Sequence, residues 1–275
     1  MIDGLRARVT FGLAGAAAIS LVARRAGALA PDGTFAATGV GAAVVAGSGF
    51  RGGAMLVAFF VSSTLLGRLP GTADLEQRRG RERDAVQVMA NGGVAAALAL
   101  ASSFAPEQSR SLLLAGFGGA VSTATADTWA TEIGSRSHTQ PRSIRTMRPT
   151  APGASGGVTV AGLTASAVGA ALIAGMASTP FTTDSDHTFM PVIPIAFGGF
   201  SGALVDSILG ATVQVVRFCD ACAVETEHQV HHCGAPTRVT RGAPWCDNDL
   251  VNVLATAAGA TTAMLLQVAI PNRRR

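Results

Sequence analysis

The chain has 275 residues, of which 48% are hydrophobic and only 14% charged, and its mean hydropathy is +0.38. A soluble domain carries about 25% charged residues, so the composition excludes an ordinary soluble fold and points to a polytopic membrane protein. All 21 basic residues are Arg and the net charge is +4; a P-loop or protein-kinase lysine is therefore excluded, and with no charged soluble domain no nucleic acid partner is expected.

Eight apolar segments are predicted, near 9–23, 34–49, 53–68, 85–103, 109–132, 155–178, 189–216 and 249–270, judged against roughly 20 residues per span. The expected fold is an all-α transmembrane bundle of seven to eight helices, one integral membrane domain over residues 1–275. The first segment follows Arg6 and Arg8 and precedes Ala28-Leu29-Ala30, as a signal peptide would. Arg24 and Arg25 interrupt it before that point, so a retained helix is the better reading. The first three segments are short enough to be tilted or re-entrant. The 33 glycines suit close helix packing in lipid.

Arg is uneven between the connections. The 68–83 loop carries Arg68, Arg78, Arg79, Arg81 and Arg83; the 134–150 loop carries Arg136, Arg142, Arg145 and Arg148; the 217–247 loop carries Arg217, Arg238 and Arg241. The 179–188 loop has only Asp184 and Asp186, and 104–108 only Glu107. The positive-inside rule places the three Arg-bearing loops in the cytoplasm of a cell-membrane protein. Eight spans then put both termini outside, and Arg273–Arg275 runs against the rule. Two echoes accompany this layout. "RDAVQVMANGG" from Arg83 resembles "NDLVNVLATAAG" from Asn248, aligning Asp84 with Asp249; "GFGGAVSTATADT" from Gly116 resembles "AFGGFSGALVDS" from Ala196. They read as a parallel duplication of a helix pair.

In this topology the polar intramembrane groups gather at the cytoplasmic end: Asp84, Gln87, Asn91, Asp127, Glu132, Asp206, Gln214, Asn248, Asp249 and Asn252. Such groups mark a functional site more often than a structural one when they share a depth. Asp127 and Glu132 lie five apart, about 140° around an unbroken helix, and meet on one ion only if the helix ends or unwinds near Gly134. Hard oxygen ligands at a rim suit Mg²⁺. Downstream, Arg142, Arg145 and Arg148 form a basic cluster. Gly153, Ser155, Gly156 and Gly157 are expected to open the sixth helix, where free backbone N–H groups would cradle phosphate. Cys219, Cys222, His228, His231, His232, Cys233 and Cys246 form a separate group. Cys219, Cys222, His232, Cys233 and Cys246 are the candidate ligands of a structural zinc in a reducing compartment.

The pieces "GRERDAVQVMANGG", "ADTWATEIGS", "PRSIRT", "PGASGGVTVAG", "GALVDSILGATVQ" and "NDLVNVLATAAG" follow in order, in a match that covers most of the chain from about residue 55 onward. In them the chain resembles the integral membrane family once called domain of unknown function ninety-two, which includes phytyl-phosphate kinases of tocopherol and phylloquinone synthesis. The Cys/His loop looks like a feature of part of the family, so the core chemistry is not expected to need it. Ala154 stands where Thr is expected. The resemblance implies transfer of the γ-phosphate of CTP to a membrane isoprenoid monophosphate. With it, Asp127, Glu132, Asp206 and Asp249 are the expected Mg²⁺ ligands, and Arg142 and Arg145 face nucleotide phosphates. Asn91, Gln214 and Asn252 would hydrogen-bond nucleotide or head group, and the tail would lie between Gly-rich helices. Two other readings are a cytidylyltransferase making a CDP-lipid and a transporter with midplane polar sites.

Overall fold

The computed structural model describes residues 2–69, 82–178 and 190–270. Arg78, Arg79, Arg81, Asp184, Asp186 and Arg273–Arg275, which entered the topology argument, lie outside the described residues. The described residues form seven helices: α1 (Ile2–Arg25), α2 (Pro31–Gly67), α3 (Ala85–Ser102), α4 (Glu107–Gly134), α5 (Val160–Ser178), α6 (Val192–Thr212) and α7 (Asn248–Ala269). Five of them, α2, α3, α5, α6 and α7, are long and apolar enough to cross a membrane, as befits an integral membrane protein.

A straight α2 would be about 55 Å long. It is not straight, because Gly49 sits at φ 70°, ψ −169°, a conformation that a Cβ would oppose. The backbone N–H of Ala30 donates to the carbonyl of Arg83 at 3.0 Å, just before α3. At the other end of α3, Ser102 Oγ donates to the carbonyl of Gly47 at 3.2 Å. Arg83 Nη1 then donates to Thr64 Oγ1 at 3.0 Å. Residues 30 and 64 therefore flank the start of α3 and residue 47 its end, so α2 is a hairpin of two arms. These arms are the segments expected at 34–49 and 53–68, which makes eight arms in seven helical elements. Three boundaries move most. The first segment begins as a helix at Ile2 rather than 9, the sixth at Val160 rather than 155, and the seventh ends at Thr212, with residue 216 already in a strand.

Helix α4 is the centre. Every residue from Leu114 to Ala126 is buried, and α2, α3, α5, α6 and α7 all pack on it. The packing is made by small residues: a Cβ on Gly199 of α6 would sit 1.9 Å from Ser122 Oγ, and one on Gly259 of α7 1.9 Å from Thr123 Oγ1. Thr123 Oγ1 donates to the Gly119 carbonyl at 2.9 Å and Ser122 Oγ to that of Ala170 at 3.3 Å, so these two buried hydroxyls are satisfied. The echoed pairs are α3 with α7 and α4 with α6, each pair running in one direction, although the second pair follows in swapped chain order. Asp84 caps α3 by accepting from Gln87 N–H at 2.9 Å. In α7 the cap is Asp247, accepting from Leu250 N–H at 3.0 Å; Asp249, aligned with Asp84, sits inside the first turn instead.

Two small sheets lie at one end of the bundle, called here the polar end. β1 (Arg142–Ser143) pairs with β2 (Gly157–Val158). β3 (Val216–Cys219) is the centre strand between β4 (Val224–Thr226) and β5 (Arg238–Arg241).

Candidate functional site

Asp127 lies on α4 and Asp206 on α6, each about two turns before its helix ends at the polar end. The two side chains are hydrogen-bonding neighbours, and the charge of Glu227 from the β-sheet loop reaches Asp206. Asp206 Oδ2 is buried and has no hydrogen-bond partner among the described residues. Adjacent carboxylates repel when both are ionised, and an orphaned carboxylate oxygen inside a membrane protein is costly. A divalent cation removes both costs, so this donor set fits Mg²⁺, which takes one or two carboxylates and completes its shell with water and phosphate oxygens.

Glu132 does not join that pair. α4 runs unbroken through Gly134, so Glu132 is turned about 140° away. Its carboxylate takes a 2.8 Å salt bridge from Arg136. Arg136 Nη2 also donates to the Leu66 and Leu69 carbonyls, both at 2.9 Å, closing the end of α2. Asp249 and Asn252 are half-buried in the first two turns of α7.

The glycine-rich run is not the open helix start that was expected. Thr159 Oγ1 accepts from the N–H of Gly162 at 3.0 Å and caps α5, after β2. Gly153 and Gly156 both have φ +79°. Gly156 is pressed against α6, where a Cβ would lie 2.4 Å from that of Ala211. The Gly157 N–H donates within the loop to Ala154 O at 2.9 Å. Arg241 ties the loop down: Nη1 donates to the Ala211 carbonyl at 2.7 Å, and Nη2 to those of Gly210 at 3.2 Å and Ser155 at 3.4 Å. It thus satisfies carbonyls left over at the end of α6. Gln214, expected to bind nucleotide, is buried, and its Nε2 donates to Glu227 Oε1 at 2.9 Å. Ser155 Oγ donates to the same oxygen at 3.2 Å. Arg142 and Arg145 are exposed at this rim; Arg142 Nη1 donates to the Met147 carbonyl at 2.7 Å.

Between α1, the arms of α2 and α3 lies an apolar cavity of about 310 Å³. Aliphatic and aromatic side chains and glycines make up most of its wall, including Phe11, Ile19, Val45, Phe50, Val57 and Phe60. Its polar groups include Arg83, Gln87, Asn91 and Thr128, the residue after Asp127. Asn91 Nδ2 donates to the Gln87 carbonyl at 3.1 Å. The Arg83 guanidinium lies 5.3 Å from the Phe60 ring centroid. Burial lowers its pKa and Glu132 opposes that shift; it stays a cation, since Arg is protonated at any physiological pH.

Cys219, Cys222, His231 and Cys233 bring their donor atoms within 4.8 Å of one another. The His in this cluster is His231, not His232, because the 231–235 turn points His231 inward, where it is buried. His232 is exposed. Cys246 stands apart, buried at the start of α7. The Cys233 thiol is held down to about 6, first by its hydrogen bond with His231, and that of Cys222 is pushed up to about 11, first by its hydrogen bond with Cys233. Burial raises the Cys246 thiol.

Residues 14–260 match the profile of the family described as Integral membrane protein DUF92. The chain belongs to this family. It is 36% identical over 194 residues to Protein PGR of Arabidopsis thaliana, covering 62% of this chain and 67% of that one. An uncharacterized membrane protein of Methanocaldococcus jannaschii is 26% identical over 198 residues, 70% of this chain and 78% of its own. Another, from Synechocystis, is 26% identical over 235 residues, 82% and 77% respectively. No solved structure matches. In the sequence of this DUF92 chain Arg83 and Glu227 do not stand out as site residues, and His231 stands only as one of the Cys/His group. Arg83 reads as loop charge, although its place immediately before the helix-capping Asp84 is a signal. Glu227 carries none, because it reaches the site only through the tertiary docking of the sheet.

Proposed function

We propose that the chain is a magnesium-dependent kinase that moves the γ-phosphate of CTP onto a membrane isoprenoid monophosphate, phytyl or polyprenyl, to give the diphosphate. The observation that carries this reading is the Asp127–Asp206 pair, placed at the polar end beside a cleft of lipid character. Asp127 and Asp206 are the residues that would hold Mg²⁺, whose chemistry there is to neutralise charge on the transferring phosphates. Glu132 serves Arg136 instead.

An isoprenoid tail suits the cavity because its wall is almost wholly hydrocarbon. Arg83 at its polar end supplies the one charge a lipid phosphate needs, with Gln87, Asn91 and Thr128 as hydrogen-bonding neighbours. Thr128 adjoins Asp127, so the wall that would receive the acceptor phosphate and the α4 member of the carboxylate pair lie on one turn of α4. An oxygen of the lipid phosphate bonds to the γ-phosphorus of CTP. The bond from that phosphorus to the β–γ bridging oxygen breaks, and its electron pair leaves on CDP. The acceptor oxygen is already anionic, so no general base is required. CTP as the donor rests on the family resemblance, with Arg142 and Arg145 at the rim as its phosphate contacts. The cytoplasm, where CTP is found, is the side the polar end would face.

Purified protein incubated with CTP, Mg²⁺ and a panel of prenyl monophosphates should form prenyl diphosphates, read by mass spectrometry. A monodisperse preparation that phosphorylates no member of the panel with any nucleoside triphosphate would refute the kinase.

A further inference from the structure

We propose that Cys219, Cys222, His231 and Cys233 bind one zinc ion, and that this zinc holds Glu227 at the end of α6, on Gln214 and Ser155, as a third acidic group near the Asp127–Asp206 site. Cys219 ends β3, and the turn to β4 brings Cys222 back beside it, with Cys219 paired to Val224. The second pair comes from the 231–235 turn, closed by His231 N–H to Ala235 O at 2.9 Å and Gly234 N–H to His231 O at 2.8 Å. Two tight turns thus present two donors each, the arrangement of a small zinc ribbon.

The spacing fits a closed tetrahedral site. Zinc–sulfur bonds of about 2.3 Å place two thiolates about 3.8 Å apart. Cys219 Sγ and Cys233 Sγ are 3.7 Å apart. A disulfide requires about 2.05 Å, so these sulfurs are spaced for a shared ion. His231 Nδ1 lies 3.1 Å from Cys233 Sγ, so the imidazole can supply the fourth ligand through that nitrogen. The ion takes all three cysteines as thiolates, so those still protonated give up their protons on binding. Four protein ligands leave no position for substrate, so the ion is structural.

What it supports is specific. Glu227 lies between the two metal-binding turns, directly after β4, and its Oε1 is where Gln214 and Ser155 both donate. No helix carries Glu227; only the fold of this loop brings it near Asp206. The loop would otherwise be the 35 residues 213–247 connecting α6 to α7, with short strands and a small core, and domains of that size depend on metal or disulfide for order. The part of this proposal that concerns Glu227 rests on the reading of Asp127 and Asp206 as a divalent-cation site; the zinc site itself does not.

The test uses the full chain, purified in detergent without a polyhistidine tag. Elemental analysis should give about one zinc per chain, lost in Cys222→Ser. In the untreated protein Cys219, Cys222 and Cys233 should resist alkylation until a chelator is added. Mn²⁺ binding, followed by electron paramagnetic resonance, then reads the carboxylate site without any turnover. Glu227→Gln should keep its zinc yet bind Mn²⁺ about tenfold more weakly, and chelator-stripped protein should weaken likewise. Zinc-free protein with freely alkylated thiols would overturn the zinc site. Zinc-loaded protein whose Mn²⁺ affinity ignores both Glu227→Gln and stripping would overturn the link to Glu227. Zinc-loaded wild type that binds no Mn²⁺ would overturn that link and the Mg²⁺ reading together, and leave the zinc site standing.

Discussion

Around α4, α6 and α7 the helices touch almost backbone to backbone, whereas α1, the arms of α2 and α3 come that close only in places, as at Gly33 and Gly47, and leave between them a cleft of about 310 Å³. Both regions are rich in glycine, so composition alone does not separate them. The difference lies in what faces each glycine. A Cβ on Gly119, Gly198, Gly199, Gly202 or Gly259 would come within 3.0 Å of a neighbouring backbone atom, while on the cleft wall Gly15 has nothing within 4 Å, nor has Gly39 of α2, and Gly12, Gly41, Gly53 and Gly92 face mainly the side chains of Val45, Ala16 and Val40. The tight region fixes Asp127 and Asp206 against one another on rigid helices, which is what a metal and triphosphate site requires. The loose region offers apolar volume, which the proposed kinase would need for a lipid tail.

The largest effect that separates the two regions should come from the carboxylates. Asp127→Asn and Asp206→Asn each keep shape and remove a charge. Each should lower kcat by about a thousandfold, the several kcal/mol that a metal contributes to phosphoryl transfer. Labelled-CTP turnover by monodisperse variants checks this, and near-normal kcat at ordinary Mg²⁺ would break the assignment. On the loose side, Arg83→Gln should raise KM for the lipid phosphate about tenfold or more, the worth of a charge-assisted hydrogen bond. KM for CTP should stay unchanged; a shift confined to CTP would move Arg83 to the nucleotide. The smallest effect concerns packing. Gly199→Val should destabilise the bundle by about 1–3 kcal/mol through overpacking against Ser122, whereas Gly39→Ala should leave it unchanged or slightly firmer. Thermal unfolding in one detergent compares them, and equal melting temperatures would mean that the two regions do not differ.

The bundle was legible because its signals are local. Apolar runs give spans, and the eight expected segments correspond to the seven helices once α2 is seen to fold back at Gly49. That turn left little trace in the sequence, since "GSGFRGG" reads equally as a connection or as a small-residue stretch of helix. Asp127 and Asp206 stood out as carboxylates in neutral helices. Their meeting was legible only as a shared depth, because helix α6 could present Asp206 to any neighbour. The Gly153–Gly157 run misled for a physical reason: the same residues that open a phosphate cradle also allow a loop to press against Ala211. Gln214 reads as a ligand contact and Arg241 as loop charge, yet the structure uses them on Glu227 and on the end of α6, needs that arise only when the sheet docks. His231 and His232 could not be told apart by spacing, since the turn decides which ring points inward.

The most direct measurement is the fate of the label in CTP. Protein in detergent or lipid, with a prenyl monophosphate and Mg²⁺, is given CTP labelled at the γ-phosphorus and, separately, at the α-phosphorus. The account predicts γ-label on the lipid, α-label recovered only in CDP, and no pyrophosphate. Lipid carrying the α-label with release of pyrophosphate would contradict it and make the chain a cytidylyltransferase.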